Sequence, residues 1–403
     1  MSQKWLAPMV IVAAFSGWLL AFALPDVGWL QATTLLMQTT FLAALKMIVA
    51  PLIFFSLLSG VMQLRAAGSL GRLGGLTLGY YTATSALAVV LGLIIVFFIH
   101  PWTDYPPLTS VPPTDAVLID TKDAGFVGTL ANLLSSMFTN PFGALAEMNI
   151  LGILTTALLL GVAATLVLPE NSPVPRLVDD ITQIIYTIAG WVITTLPLGL
   201  FAIAFQLTGK VDINTLISLG HFAFVVICAT LFHGLIVLPA IAWAVGGVRP
   251  GTLMPRIIKP MLTAFVTSSS AATLPVSMQT LHEELAVSKA KAAFILPLGA
   301  TVNMDGTALF EAIAVIFLAY MFGIPLDAFS IVVIFLVTML ASAGAPGIPS
   351  GSMAGLQTVL LAVGIPLEAI GLVLLIERPL DTIRTAINVE GDIIGGLVVE
   401  RWT

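Results

Sequence analysis

The sequence predicts an all-α polytopic membrane protein, and three observations carry that prediction. Of its 403 residues, 58% are hydrophobic and only 9% are charged, whereas soluble domains carry about a quarter charged residues. Apolar runs long enough to cross a bilayer, which takes roughly 20 residues, recur along the whole chain. In the C-terminal half these runs are interrupted at membrane depth by small, polar and Gly/Pro clusters.

Taken in order, the run from Leu6 to Leu24 follows a short start with a single lysine and no convincing cleavage site. It reads as a retained helix and not a signal peptide. Helices 1 and 2 are expected within residues 1–70 and helix 3 within 71–100. The stretch 101–144, rich in Pro, Asp and Thr between His100 and Asp123, is an external loop. Helices 4 and 5 are expected within 145–210. From 213 onward come helix 6, a hairpin over 251–284, a helix over 286–322, a second hairpin over 327–363 and a last helix over 365–400. Cys228, the one cysteine, lies in an apolar run and reads as a buried inert thiol. Lys46, inside another run, reads as a snorkelling side chain.

Placement of the basic residues orients the chain. Lys4, Arg65, Arg72, Arg176, Arg249, Arg256, Lys259, Lys289, Lys291 and Arg401 fall on one side, with Lys122 and Lys210 on the other. The positive-inside rule puts the larger group and both termini in the cytoplasm, for a multi-pass inner (plasma) membrane protein. A phosphate loop, a dinucleotide fingerprint and Cys/His metal clusters are absent from the sequence, which argues against nucleotide-driven pumps. No cofactor and no nucleic-acid partner are expected; membrane lipids are.

The hairpins follow from backbone chemistry. In lipid every N–H and C=O needs a partner, so the cluster Thr267-Ser268-Ser269-Ser270-Ala271-Ala272-Thr273 cannot face acyl chains. The same holds for Gly344-Ala345-Pro346-Gly347-Ile348-Pro349-Ser350-Gly351. Each cluster reads as a helix–turn–helix tip entering the membrane partway, and each hairpin is followed by a helix with charge in its middle. This repeat, inverted in the membrane, places a binding site near the midplane. Small residues also let helices pack closely, but two clusters in matching positions favour a site.

The last helix carries the chemistry. With about 100° per residue, Glu377, Asp381, Arg384, Thr385, Asn388 and Asp392 share one face, and Asp381 to Asp392 spans about 16 Å. Each charge at mid-bilayer costs about 2.5–3.5 kcal/mol on insertion scales, so this stripe must line a cavity. An Asp381–Arg384 pair that merely stitches helices together would leave Asp305, Asp392 and the polar tips without a role. Arg384 offers a planar fork for a carboxylate, and Asp381 an acceptor for an ammonium group. Asn388 can donate to a second carboxylate. Asp305, Asp392, the Asn303 side chain and freed carbonyls are hard oxygen ligands suited to an alkali cation. An intramembrane serine hydrolase using Ser268 to Ser270 with His221, His233 or His282 gives no role to Asp305 and Asp392. A passive channel would be excluded by accumulation against a gradient.

Several stretches carry a family resemblance: Leu45-Lys46-Met47-Ile48-Val49-Ala50-Pro51-Leu52, Tyr80-Tyr81-Thr82-Ala83-Thr84-Ser85, Asn140-Pro141-Phe142, the triple serine with Thr273-Leu274-Pro275, Asn303-Met304-Asp305-Gly306-Thr307, the second hairpin tip, and Arg384-Thr385 through Asn388 to Gly391-Asp392. In this order they resemble the glutamate/aspartate (dicarboxylate/amino acid):cation symporter family, which includes archaeal aspartate transporters and animal excitatory amino acid transporters. Members of that family are among the proteins behind the inverted-repeat rule.

The resemblance implies eight transmembrane helices plus two re-entrant hairpins in a homotrimer, with a scaffold of residues 1–70 and 145–210. A transport domain of helix 3 and 213–403 would move like an elevator. It implies import of aspartate or glutamate with sodium, and protons as a second coupling ion. Substrate contacts fall to Asp381, Arg384, Thr385, Asn388 and Thr307 and to the tip residues Ser269, Ser270 and Gly347. Sodium ligands are implied at Tyr81, Thr84, Ser85, Asn303, Asp305, Asn388 and Asp392, with backbone oxygens around Gly299, Thr301, Ser342, Ala343 and Ala345. Glu311, one turn after Thr307, is the proton-coupling candidate, since animal members with proton co-transport also have glutamate there; a glutamate held in helix packing is the alternative. Uptake of C4-dicarboxylates or of cystine on the same scaffold is the rival. Dicarboxylate-specific members carry serine where Asp381 stands, which points here to an amino acid. Archaeal members have an arginine at the position of Ser268 and animal members at that of Thr382; here Arg378 is the nearest substitute. Glu377 replaces the aspartate usual in close relatives.

Overall fold

The computed structural model describes residues 6–24, 27–68, 72–107, 134–135, 137–169, 171–207, 213–345, 347 and 349–403. The readings of Lys4, Lys122, Lys210, Pro346 and Ile348, and of the Lys46 and Arg65 side chains, lie outside the described residues. Helices make up almost all regular structure, and no strand occurs among the described residues. Three helical stretches are long and apolar enough to cross a membrane: Arg72–Asp104, Ile213–Ala244 and Lys289–Met321. A fourth results if two helices bent by 49° count as one span. The chain is therefore a multi-pass membrane protein.

One group of helices forms around α2 (Gly28–Gly68), against which α5 (Ile150–Val167), α6 (Val174–Thr194) and α7 (Leu196–Leu207) pack; α1 (Leu6–Ala23) packs on α7. Between α3 (Arg72–Phe98) and α5, the short α4 (Pro141–Ala146) is nucleated by Asn140. Its Oδ1 accepts from Phe142 N–H at 2.9 Å and Gly143 N–H at 3.2 Å, with Pro141 in the first turn.

The second group surrounds two buried helices, α13 (Asp305–Met321) and α17 (Glu377–Trp402). Every residue of α13 except Ile316 and Tyr320 is buried, as is all of α17 from Arg384 to Val399. Around them pack α3, α8 (Ile213–Phe232) and two helical hairpins. The first hairpin pairs α10 (Pro250–Thr267) with α11 (Ser270–Glu283), and the second pairs α14 (Ala328–Ala343) with α15 (Ser352–Ala362). Contacts between the two groups run mainly along α2, which meets α3, α12 (Lys289–Val302), α14 and α15.

Both hairpin tips turn on a serine in the left-handed region, Ser268 at φ 49° and Ser350 at φ 60°. That conformation costs a residue with a Cβ about 1–2 kcal/mol. Ser269 then caps α11 by accepting from Ala272 N–H at 3.1 Å.

Several elements differ from the sequence expectation. The helix expected over 286–322 is two helices, because the chain leaves helical geometry at Asn303 and Met304. The last element does not run unbroken from 365: a short 3₁₀ turn and α16 (Ile370–Leu374) precede α17, which starts at Glu377. Helix 6 contains a π turn over His233–Val237 before α9 (Leu238–Ala244), a feature that widens a helix locally. Cys228 is exposed and not buried, because it lies on the outer side of α8 with Phe224 and Leu231.

Gly306 fixes how closely α13 approaches α17. A Cβ there would stand 2.7 Å from the carbonyl oxygen of Arg384 and 3.2 Å from Asn388 Oδ1. Gly→Ala inside a helix normally stabilises by about 0.5–1 kcal/mol, but here overpacking at about 1–3 kcal/mol should prevail. Gly306→Ala is expected to lower the thermal unfolding temperature in detergent; an unchanged or raised temperature would contradict this packing.

Candidate functional site

The break between α12 and α13 exposes backbone and polar side chains in the middle of the second group. The start of α13 has no local cap; instead Gly306 N–H donates to Asn388 Oδ1 at 2.8 Å. A side chain of α17 thus satisfies one of the four N–H groups that a helix start leaves without a partner. Asn388 Nδ2 in turn donates to Thr307 Oγ1 at 3.2 Å.

On the α3 side of this break lies an oxygen-rich cluster. Ser85 Oγ donates to Asp305 Oδ1 at 2.8 Å, and Thr84 Oγ1 approaches Asp305 Oδ1 at 3.3 Å and Asn303 Oδ1 at 3.2 Å. Asn303 Nδ2 donates to Asp392 Oδ1 at 3.0 Å. Tyr81 donates to the Ile295 carbonyl at 3.0 Å, and a Cβ on Gly299 would be 2.5 Å from both Tyr81 Oη and Asp392 Oδ1. Asp305 and Asp392 are both buried. Two carboxylates sharing so small a space repel one another unless a cation or a proton intervenes, and hard carboxylate, amide and hydroxyl oxygens suit a hard cation, with the Met304 sulfur nearby at 3.9 Å from Asn388 Nδ2. Thr301 and Ser342 donate their hydroxyls to carbonyls of their own helices, Leu298 at 2.9 Å and Met339 at 3.3 Å. Ala343 and Ala345 lie at the end of α14, where Ala345 N–H donates to Ser342 O at 3.1 Å.

Toward the start of α17 lies an ionic cluster. Arg384, 1% exposed, directs Nη2 at Glu377 Oε1 (2.8 Å), Ser352 Oγ (2.9 Å) and Asp381 Oδ1 (3.3 Å). Its guanidinium carbon lies 3.8 Å from the centroid of the Phe310 ring, a cation–π contact. Nε and Nη1 have no hydrogen-bond partner among the described residues. Asp381 Oδ2 accepts from Ser350 N–H at 2.9 Å and meets Arg378 Nη1 at 3.4 Å. Ser350 Oγ donates to Glu377 Oε2 at 3.0 Å. Thr385 donates to the Asp381 carbonyl at 2.7 Å.

The two hairpin tips meet beside this cluster. Ser269 Oγ donates to Gly347 O at 2.7 Å, and Ala271 N–H reaches the same oxygen at 3.2 Å. Ser270 is buried at the first turn of α11. The hydrolase alternative finds no geometry. His233 contacts Asp305 at 3.4 Å, His282 contacts the Val287 carbonyl at 2.9 Å, and His221 lies against Tyr105.

Four participants escaped the sequence reading. Ser350 and Ser352 bind the α17 carboxylate of Glu377; Ser350 was visible only as a tip residue, and Ser352 lies one residue past the tip cluster. Phe310 looked like core. His233 looked isolated because its partner Asp305 lies 72 positions away. Glu390 is also fully buried, off the polar stripe, with neither oxygen partnered among the described residues.

Buried ionic groups at a broken helix in a multi-pass membrane protein are the kind of site that secondary transporters use. The sequence matches the sodium:dicarboxylate symporter family over residues 6–402, and the chain belongs to that family. Among similar proteins, the neutral amino acid transporter A of Homo sapiens is 32% identical over 89% of this chain and 74% of its own. The neutral amino acid transporter B(0) of Mus musculus is 32% identical over 90% and 73%, and an excitatory amino acid transporter of Caenorhabditis elegans 32% over 89% and 79%. The protein is thus a sodium-coupled transporter and not an enzyme, with sodium as co-transported ion and no cofactor.

The ionic cluster makes a stability prediction. Removing one member of a buried pair costs about 3–5 kcal/mol, whereas replacing both with apolar residues is often neutral. Glu377→Leu should therefore lower the unfolding temperature markedly, and adding Arg384→Met should recover much of the loss. Additive losses in the double variant would show that the pair is not coupled.

Proposed function

We propose that the protein is a secondary active symporter that imports an acidic amino acid, aspartate or glutamate, with sodium and a proton. The observation that carries this reading is Arg384: a buried guanidinium whose Nε and Nη1 have no partner among the described residues, next to Asp381 and stacked on Phe310. Glu377 holds Nη2 and leaves the N–H groups of Nε and Nη1, on two different sides of the guanidinium, each able to donate a single charge-assisted bond to a side-chain carboxylate. Asp381 receives the ammonium group. Asn388, Thr385, Thr307 and the tip residues Ser269, Ser270 and Gly347 surround the α-carboxylate. A C4-dicarboxylate has no ammonium group to offer Asp381, and cystine brings its second carboxylate together with a second ammonium group, so it adds no net negative charge at Arg384.

Names of similar proteins favour a second reading, a neutral amino acid. Arg384 weighs against it, since a neutral side chain would leave a buried charge without the extra partner.

In the same reading, sodium is held by Tyr81, Thr84, Ser85, Asn303, Asp305, Asn388 and Asp392, with carbonyls around Gly299, Thr301, Ser342, Ala343 and Ala345. Glu311 carries the proton; it is fully buried, and its oxygens have no partner among the described residues. The sparse seam along α2 supports a division into a scaffold (1–70, 145–210) and a moving body that works as an elevator. The whole sits as a homotrimer in the inner (plasma) membrane, both termini cytoplasmic.

Uptake into proteoliposomes of labelled aspartate, glutamate, succinate, cystine and serine, under separate sodium and proton gradients, tests the reading. Aspartate or glutamate should accumulate only with inward sodium. Preference for succinate, cystine or serine would overturn the acidic amino acid. In Arg384→Thr, loss of a charge-assisted bond worth about 1.5–3 kcal/mol should weaken aspartate about 10- to 150-fold and favour serine. Retained aspartate preference would move this role to Arg378.

Asp392→Asn should weaken substrate binding indirectly, because coupled ligands obey reciprocal linkage. Raising sodium should restore part of the affinity. A loss that no sodium concentration reverses would count against the cation assignment.

A further inference from the structure

Glu311 has two sides. Toward α17, the guanidinium of Arg384 covers the ring of its neighbour Phe310. Toward α15, the carboxylate lies directly behind Gly355. A Cβ built on Gly355 would collide with Oε1 of Glu311 and stand 2.8 Å from Cδ and 3.2 Å from Oε2. Any side chain at position 355 would have to push the carboxylate away, so glycine leaves only backbone between Glu311 and what lies beyond α15.

Beyond it is a small, partly open cavity in the seam between α2 and the second hairpin. Leu52, Ser56, Gly344, Ala354, Gly355 and Thr358 line it. Ser56 and Thr358 bring hydroxyls whose hydrogens go to carbonyls of their own helices, Ile53 and Ala354. Their lone pairs remain to accept from water.

We propose that this seam cavity is the proton port of Glu311, with the proton entering and leaving across Gly355 and not through the Arg384–Asp381 cluster. The inference rests on the proton-carrying role given to Glu311 above. In the cavity a hydronium ion gives its proton to a carboxylate oxygen, leaving water and a neutral carboxylic acid; release is the reverse. Gly355 borders both the carboxylate and the cavity, so at this position the α15 backbone stands between them, and a local shift of α15 joins the two.

The charged neighbourhood is consistent with one port. Arg384 is the ionised group of α17 within electrostatic reach of Glu311, while Glu377 and Asp381 are engaged with Arg384 and Ser350. Helices α14 and α15 contain no ionisable residue. On α3, Tyr81 is directed at Ile295 and Tyr80 lies against Tyr81. On α8, His221 lies against Tyr105 and Cys228 is exposed. On α13 itself, Asp305 is held by Ser85 and His233, and Tyr320 donates to Thr103 and Tyr105 carbonyls.

The test uses Ala354→Cys in a Cys228→Ala background, reconstituted in liposomes containing a pH dye. Ala354 lines the cavity but belongs to neither the substrate nor the cation cluster. Reaction with a bulky thiosulfonate should slow substrate-driven acidification and net uptake about tenfold. Exchange of internal for external substrate, which needs no net proton movement, should stay within about twofold of the unlabelled rate. Adding Glu311→Gln should abolish the effect of the label on net uptake. Unaltered acidification after labelling overturns the port, as does exchange falling in step with net uptake. Absence of substrate-driven acidification in the unlabelled wild type overturns the proton role of Glu311, and the port with it.

Discussion

The ion pair between Arg384 and Glu377, buried at 2.8 Å, is the constraint on which the second helical group depends. A guanidinium at this depth is tolerable only if other elements bring it partners. Glu377 comes from the start of the same helix, Ser352 from the second hairpin, and the Phe310 ring from α13. Three elements are thereby fixed relative to one another. The second hairpin is also held from its tip, where Ser350 binds both Asp381 and Glu377. A substrate carboxylate arriving at Nε or at Nη1 would therefore meet a guanidinium already oriented, and orientation in advance is what reduces the entropic cost of binding.

The same economy of partners recurs one turn further along α17. Asn388 closes the start of α13 through Gly306 and reaches Thr307, so the proposed substrate cluster and the Asp305–Asp392 cluster share a residue. Asn303 ties Asp392 to Thr84. Nothing need travel far for occupancy of one cluster to be felt at the other: the two are joined by direct hydrogen bonds across one helix break. Such contiguity gives sodium coupling a physical basis.

Much of this was legible in the sequence because helical periodicity determines which residues share a face. Asp381, Arg384, Asn388 and Asp392 fall on one side of α17 whatever surrounds it, and the hairpins announce themselves as polar interruptions that lipid cannot accommodate. What periodicity does not convey is the partner in another element. His233 and Asp305, or Ser352 and Arg384, are far apart in the chain. Backbone departures were equally hidden: the break at Asn303-Met304 lies inside an apolar run, and the π turn at His233–Val237 contains no proline. Cys228 was misplaced because an apolar run does not reveal which of its faces looks outward.

The central claim is that an acidic substrate at Arg384 and sodium at the Asp305–Asp392 cluster bind as coupled ligands. Equilibrium binding of aspartate to the purified protein, measured over a range of sodium concentrations at constant ionic strength, tests it most directly. Linkage requires the logarithm of the aspartate affinity to rise with the logarithm of sodium until the cation site saturates. A flat dependence, with aspartate bound equally well in potassium, would contradict it.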